Sequence, residues 1–500
     1  MLLIRADAST QMGTGHVMRC LALAQAWQDK GGQVTLAATT FPPALGERLA
    51  SEGLTLVTLT AEPGSPDDAQ QTAEHARALG ATWVIVDGYQ FGAAYQRALK
   101  DAGLRVLFMD DYGHAGTYCA DIVLNQNSYA HERLYTQRAA HTRLLLGPRY
   151  VLLRREFWPW RGWLRETPEV ARKVLVTMGG ADPNNITLRV IEALQQIDAP
   201  NLEVTVVVGG SNPHSTEIEA AARVSRHQIK VEWNISDMPT LMAWADVAVT
   251  AGGSTCYELA FMGLPALIVV LAENQQTGAA VLAKVGIGQN LGWHNEVGSS
   301  AITSALMRLL TEPESRAAMS RCGSSLVDSY GSTRIVAEMQ KTPLRLRRAT
   351  SENCRLLWDW ANDPAVRKAS FSSEPIPWDS HVVWFAAHIA SPNDHIFIGI
   401  DSDDQPIGQV RFAVEGDTAV ISVSLDAGTR NKGYSSKLIR MGTKAIFEET
   451  SVVQINAYVK PDNTPSLCAF THADFAKVGT VVMGETQALQ LVLHRKERTL

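Results

Sequence analysis

The residues best suited to chemistry in this 500-residue chain stand beside glycines. Gly13-Thr14-Gly15-His16 follows a segment ending Arg5-Ala6-Asp7. Glycines let a ligand approach the backbone, and free N–H groups at a helix start suit an anion. Val17, Cys20, Leu21 and Ala24 recur at helical spacing, so that face packs inward and His16 leaves the helix N-terminus into open space. A neutral imidazole there accepts a proton from water, as a general base must. The same residues also allow a core or helix-capping histidine. Two further turns carry glycine pairs: Gly179-Gly180-Ala181-Asp182-Pro183-Asn184-Asn185 and Ala251-Gly252-Gly253-Ser254-Thr255. At strand ends such turns present N–H groups to phosphate oxygens, although many tight turns share the pattern. Gly180, Asp182, Asn185, Gly253, Ser254 and Thr255 are therefore candidate substrate contacts.

For these turns to converge, strand ends must lie side by side. Apolar runs at 2–7, 33–39, 54–59, 83–87, 105–110 and 121–125 alternate with helical stretches. The pattern restarts at 173–178, 203–208, 229–233, 246–250 and 265–271. Most runs are continuously apolar, as strands buried on both faces read. The prediction is an α/β chain with two doubly wound, Rossmann-like parallel sheets, which bind ligands outside the carboxyl ends of their strands. Facing sheets leave a cleft between them. The predicted domains are 1–155, with the histidine loop, and 156–341, with the glycine turns. Trp158, Trp160 and Trp163 in the connector are expected to pack the junction. After Lys341 the pattern changes to an α+β domain, 344–497, opened by Leu344-Arg345-Leu346-Arg347. It holds a strand at 395–400, a meander over 407–425 turning at Glu415-Gly416-Asp417, and a helix near 433–448. A strand at 452–459, a helix near 464–473 and a closing strand at 488–494 follow.

Composition narrows the function classes. Hydrophobic residues make up 46% and charged residues 19%, and the net charge is -6, which suits a folded, soluble protein. No broad basic field invites nucleic acid or an anionic membrane. The longest apolar run, Leu264 to Ala272, is too short to span a bilayer. The N-terminus reads as a strand, not as a signal peptide. The six cysteines, at 20, 119, 256, 322, 354 and 468, are scattered without a CxxC, which argues against a disulfide framework or a zinc site and fits a reducing cytoplasm. No acidic cluster stands out as a metal site, so none is expected.

The stretch Arg5-Ala6-Asp7-Ala8-Ser9 through Met12-Gly13-Thr14-Gly15-His16-Val17-Met18-Arg19-Cys20 closely resembles the start of the pseudaminic acid pathway UDP-sugar hydrolases. These release UDP from UDP-2,4-diacetamido-2,4,6-trideoxy-β-L-altropyranose on a GT-B fold related to MurG-type transferases. The resemblance runs over roughly the first 340 residues. It implies that His16 activates water for attack at the anomeric carbon. Gly15 and Arg19 then flank the substrate, and Tyr89, in Val86-Asp87-Gly88-Tyr89, lines the same pocket. It implies that Glu258 accepts hydrogen bonds from ribose hydroxyls, although acids are common in a first helical turn anyway. It also implies that Asn274 of Glu273-Asn274-Gln275-Gln276 contacts the sugar, with Gln275 beside it. An amide suits that role because it both donates and accepts.

The segment from Leu425 through Asp426-Ala427-Gly428-Thr429-Arg430-Asn431-Lys432-Gly433-Tyr434-Ser435 resembles the pyrophosphate loop of GNAT acetyltransferases. Arg430 and Gly433 match the loop, while Ser435 stands where Gly or Ala is usual. Asn463 and Ser466 match the later Asn…Ser element, and the usual Gly-Phe is altered to Ala473-Asp474-Phe475. The resemblance implies acetyl-CoA as cosubstrate, held by Leu425, Arg430, Asn431, Gly433, Tyr434, Ser435, Asn463 and Ser466. His381, Glu374 and Tyr458 are candidates for the acetyl-transfer base. The two resemblances together imply consecutive steps on one UDP-linked amino sugar: acetylation of its 4-amino group, then hydrolysis. The competing readings are a GT-B glycosyltransferase, which passes the sugar to an acceptor, and a UDP-sugar sensor without turnover.

Overall fold

The apolar runs become strands, and their ends set the sites. The computed structural model describes residues 1–9, 13–233, 235–341, 344–401, 404–484 and 486–495. Met12 of the first-loop motif, and positions 496 and 497 of the predicted third domain, lie outside them. The chain divides into two units, Met1–Met339 and Gln340–Leu500. Among the described residues no helix is long and apolar enough to cross a membrane.

The first unit holds two parallel sheets. One contains β1 (Leu2–Ala6), β2 (Val34–Ala38), β3 (Thr55–Thr58), β4 (Trp83–Asp87), β5 (Val106–Met109), β6 (Ile122–Asn125) and β7 (Arg143–Leu146). The other contains β8 (Lys173–Thr177), β9 (Glu203–Val208), β10 (Gln228–Trp233), β11 (Val247–Ala251), β12 (Ala266–Val270) and β13 (Gly288–Trp293). The orders are β3-β2-β1-β4-β5-β6-β7 and β10-β9-β8-β11-β12-β13. Strand order therefore reverses between β1 and β4 and again between β8 and β11, and a crevice opens at such a point. The central strands β1 and β4 are buried along their whole length, as their unbroken apolar sequence requires. Arg5, fully buried in β1, is matched by Asp68 through two hydrogen bonds of 2.8 Å. A buried cation of this kind needs a paired carboxylate.

Trp158 packs against the core of the first sheet, whereas Trp160 and Trp163 pack against that of the second. The three tryptophans thus join the two sheets, as the connector's composition predicts. The helix Gly331–Gln340 follows the second sheet in sequence, yet it puts Ile335, Val336 and Met339 into the core of the first.

The second unit is one mixed sheet of β14 (Arg345–Arg348), β15 (Asp394–Ile400), β16 (Pro406–Glu415), β17 (Thr418–Leu425), β18 (Gln454–Val459), β19 (Ala476–Met483) and β20 (Thr486–His494). Its order is β14-β15-β16-β17-β18-β20-β19. The turn between β16 and β17 falls at the predicted residues, with Gly416 at φ +62°. β17 and β18 pair in parallel only from Thr418↔Gln454 to Ile421↔Ala457. Beyond that, β17 stays with β16 as far as Leu425, and β18 stays with β20 as far as Val459. The sheet therefore parts between residues 422–425 and 458–459.

Candidate active sites

In the first unit β1 feeds the loop that ends at the helix Gly15–Gln28, and β4 ends at Asp87, so both deliver side chains to the first crevice. His16 Nδ1 lies 2.8 Å from Asp87 Oδ1. Burial alone would raise the Asp87 carboxyl, but Arg19 and His16 hold it well below the ordinary carboxylate range. An ionised carboxylate only accepts hydrogen bonds, so the proton between them belongs to Nδ1, which puts the lone pair of the neutral tautomer on Nε2. Asp87 is itself clamped by Arg19, whose Nε donates to Oδ2 and whose Nη2 donates to Oδ1, each at 2.6 Å. The Cys20 thiol donates to Oδ2 from 3.6 Å.

From Arg19 the network crosses the cleft. Arg19 Nη1 donates to Asp111 Oδ1 at 2.8 Å, and the Tyr89 hydroxyl donates to Asp111 Oδ2 at 2.8 Å. Asn274 Nδ2, carried by the helix Glu273–Lys284 of the second sheet, donates to the Tyr89 hydroxyl at 2.8 Å. Burial, reinforced by Asp111, pushes the Tyr89 phenol well above its ordinary range, so it stays a neutral donor. Tyr89 also meets the His16 ring edge to face, with centroids 4.9 Å apart. A second tie runs from Asn127, which donates to Asp111 at 2.8 Å, to Tyr257, whose hydroxyl accepts the Ser128 N–H at 2.9 Å. Sequence reasoning missed Asp87, Asp111 and Asn127 as site residues. The available signal was a charged or amide residue closing, or just following, an otherwise apolar strand.

The glycine turns also approach this crevice. A Cβ on Gly180 would stand 2.8 Å from Thr14 Oγ1, so the turn after β8 touches the histidine loop and a side chain there would displace it. Gly13 has φ +78°, and Gly15 and Gly253 face open space. Ser254 is exposed and Thr255 half-buried at the start of the helix Thr255–Phe261. Other predicted contacts have structural employment. Asp182 takes the N–H groups of Ile186 and Thr187 at 2.8 and 2.9 Å, and the Asn185 side chain accepts from Leu188 N, so both cap the helix Ile186–Gln195. Gln275 Oε1 accepts the Leu271 N–H at 2.9 Å. Glu258 pairs with Arg154 at 2.9 Å, a partner the sequence did not reveal, and burial pushes its carboxyl upward despite that cation.

In the second unit β17 ends at Leu425, whose carbonyl accepts from Arg430 Nη2 at 3.2 Å. The same guanidinium pairs with Asp363 at 2.7 Å. Asn431 at φ +60° and Gly433 at φ +74° turn the loop into the helix Tyr434–Glu449, leaving Tyr434 and Ser435 at its N-terminus. The space at Gly433 is open. Asn463 accepts the Ser466 N–H at 3.2 Å and caps the helix Thr464–His472. Asp474, where the resembling domains carry glycine, adopts φ +68°. Of the three candidate bases, Tyr458 stands at the parting of the sheet. His381 is buried against Phe385 with its Nε2 at the Cys354 carbonyl, and Glu374 is exposed. Among the described residues no group of His, Cys, Asp and Glu side chains could hold a metal ion.

Residues 173–330 match the glycosyltransferase family 28 C-terminal domain, and residues 343–476 match the acetyltransferase (GNAT) domain. The chain carries a family 28 domain and a GNAT domain in tandem. It is 23% identical to an uncharacterized protein of Methanocaldococcus jannaschii, with 76% of each chain covered. It is 28% identical to the spore coat polysaccharide biosynthesis protein SpsG of Bacillus subtilis, over 47% of this chain and 68% of that one. It is 23% identical to the UDP-2,4-diacetamido-2,4,6-trideoxy-β-L-altropyranose hydrolase of Campylobacter jejuni, over 57% of this chain and 97% of that one. A parallel-sheet unit that holds the family 28 match, here the family 28 unit, followed by a mixed-sheet unit that holds the GNAT match, is the architecture expected from the sequence.

Proposed function

We propose that the family 28 unit hydrolyses a UDP-linked diamino sugar and that the GNAT unit acetylates an amino group of its precursor. The observation that carries the reading is the His16–Asp87 pair, 2.8 Å apart where β4 ends, beside the point at which the strand order reverses. The diphosphate lies against N–H groups of the turns at Gly180 and Gly253 to Thr255, with no metal invoked. Glu258 takes the ribose hydroxyls. Water stands between His16 Nε2 and the anomeric carbon. As its oxygen bonds to C1, its proton passes to Nε2 and the C1–O electron pair leaves with UDP, inverting C1. Asp87 holds the Nδ1 proton and stabilises the imidazolium that forms. Tyr89 and Asn274, already hydrogen-bonded across the cleft, orient the sugar. The likeness to the Campylobacter jejuni hydrolase supports the same diacetamido trideoxy sugar as substrate, and hence a cytoplasmic place in pseudaminic acid synthesis.

In the GNAT unit acetyl-CoA threads the parting between β17 and β18, with its pyrophosphate over the loop 430–435. The amine lone pair attacks the thioester carbonyl, the C–S bond breaks, and the departing sulfur takes up the amine's proton.

The family 28 match favours one alternative, transfer of the sugar to an acceptor. UDP release from the purified chain without any acceptor separates the two. Hydrolysis requires it, and strict dependence on an added acceptor would decide for transfer.

A further inference from the structure

β16 alternates its side chains between two faces of the GNAT sheet. Val410 and Phe412 point to the helix Tyr434–Glu449, where a Cβ on Gly442 would meet both. Gln409 and Arg411 point the other way. On that face Arg411 stands opposite the exposed Ser422, and Gln409 Nε2 donates to Ser424 Oγ at 3.2 Å. Ser422 and Ser424 belong to the stretch of β17 that has parted from β18. Arg411 is therefore one strand spacing, about 5 Å, from the opening through which an acetyl group would arrive.

Arg411 is half-buried, and its guanidinium lies 5.0 Å from the centre of the Trp384 ring. Among the described residues its recorded neighbours are the Trp384 ring and, beyond ion-pair distance, Asp394. Other arginines depressed by burial are occupied. Arg165 donates to the Met262 carbonyl at 3.1 Å, and Arg367 to that of Ala361 at 2.6 Å. Burial likewise pushes Arg411 below the ordinary arginine range, yet its donors stay uncommitted. None of its nitrogens is among the buried atoms without a partner, so the guanidinium reaches solvent and is open to an incoming anion. A planar fork backed by an aromatic ring suits a phosphate group.

We propose that Arg411, backed by Trp384, is the specificity-determining residue of the acceptor site in the GNAT unit, holding the diphosphate of the nucleotide-linked amino sugar. The diphosphate sits on the guanidinium while the amine, a sugar ring away, meets the acetyl group at the parting of β17 and β18. The inference rests on the acetyltransfer reading above and sharpens it.

The test measures CoA release by the full chain with acetyl-CoA and one of two amines: a UDP-linked 4-amino sugar, or the same sugar free of UDP. The wild-type chain is expected to favour the UDP-linked amine in kcat/KM, and UDP alone should inhibit acetyl transfer competitively with that amine. Arg411→Gln should reduce kcat/KM for the UDP-linked amine by about tenfold or more and shrink the preference, with Arg411→Lys between the two. Saturation with acetyl-CoA reports that the variants are folded. An unchanged preference in Arg411→Gln, a wild-type preference for the free amine, or no inhibition by UDP would each overturn the inference alone. No CoA release from the wild-type chain with either amine would overturn the acetyltransfer reading as well.

Discussion

If His16 and Asp87 act as one group, as proposed, their variants should behave alike. Asp87 touches the reaction only through the imidazole. His16→Asn and Asp87→Asn should each lower kcat by about 10²–10⁴-fold while leaving the Kd for UDP near its wild-type value. The double variant should be no slower than His16→Asn alone, because a base already absent has nothing left to lose. Steady-state kinetics and UDP titration check both statements, and additive losses would separate the two residues. His16 was legible in the sequence because glycines and a helix start surround it. Asp87 was not, because its partners Arg19 and His16 lie 68 and 71 positions away and only folding unites them.

At the scale of elements, the two sheets meet through the Tyr89–Asn274 hydrogen bond. Asn274→Ala should lower turnover with little change in UDP affinity, since its proposed contact is with the sugar and its observed one is with Tyr89. Glu258→Ala should behave differently. It removes the proposed ribose acceptor and one of two carboxylates on Arg154, the other being Glu156 at 2.6 Å. UDP affinity should fall, and stability should drop by about 1–3 kcal/mol, read from denaturant unfolding. Identical profiles for the two variants would refute this division of the cleft. The strands that set these positions were legible because they are buried on both faces. β7, β13 and β19 were not. β13 reads Gly-Gln-Asn-Leu-Gly-Trp and β19 is largely exposed at a sheet edge, so neither carries an unbroken apolar run. In the GNAT unit Gly433 at φ +74° holds the loop open. Gly433→Glu adds strain and a negative charge facing pyrophosphate, so CoA release should collapse while UDP release persists.

The whole molecule divides into units with separate cores, so a chain ending at Lys341 should keep UDP release and lose acetyl transfer. Its stability should depend on pH through the crevice. Asp7, Asp87, Asp110 and Asp111 all have carboxyls held below the ordinary value of 3.8. A depressed folded value stabilises above the unfolded one and is lost as pH falls through the folded one. The Tm of this truncated chain should therefore be sustained above about pH 4 and fall steeply below it. Thermal unfolding across that range measures the effect. The sequence pattern changes near Lys341, but the return of the helix Gly331–Gln340 to the first core was not legible, since amphipathic spacing does not say which sheet a helix covers.

The claim that water attacks the anomeric carbon is tested most directly by the mass of UDP released in ¹⁸O-water without an acceptor. Attack at C1 leaves the bridging oxygen on UDP, so the released UDP should carry no label. Incorporation of ¹⁸O into UDP would mean attack at phosphorus and would contradict the placement of His16.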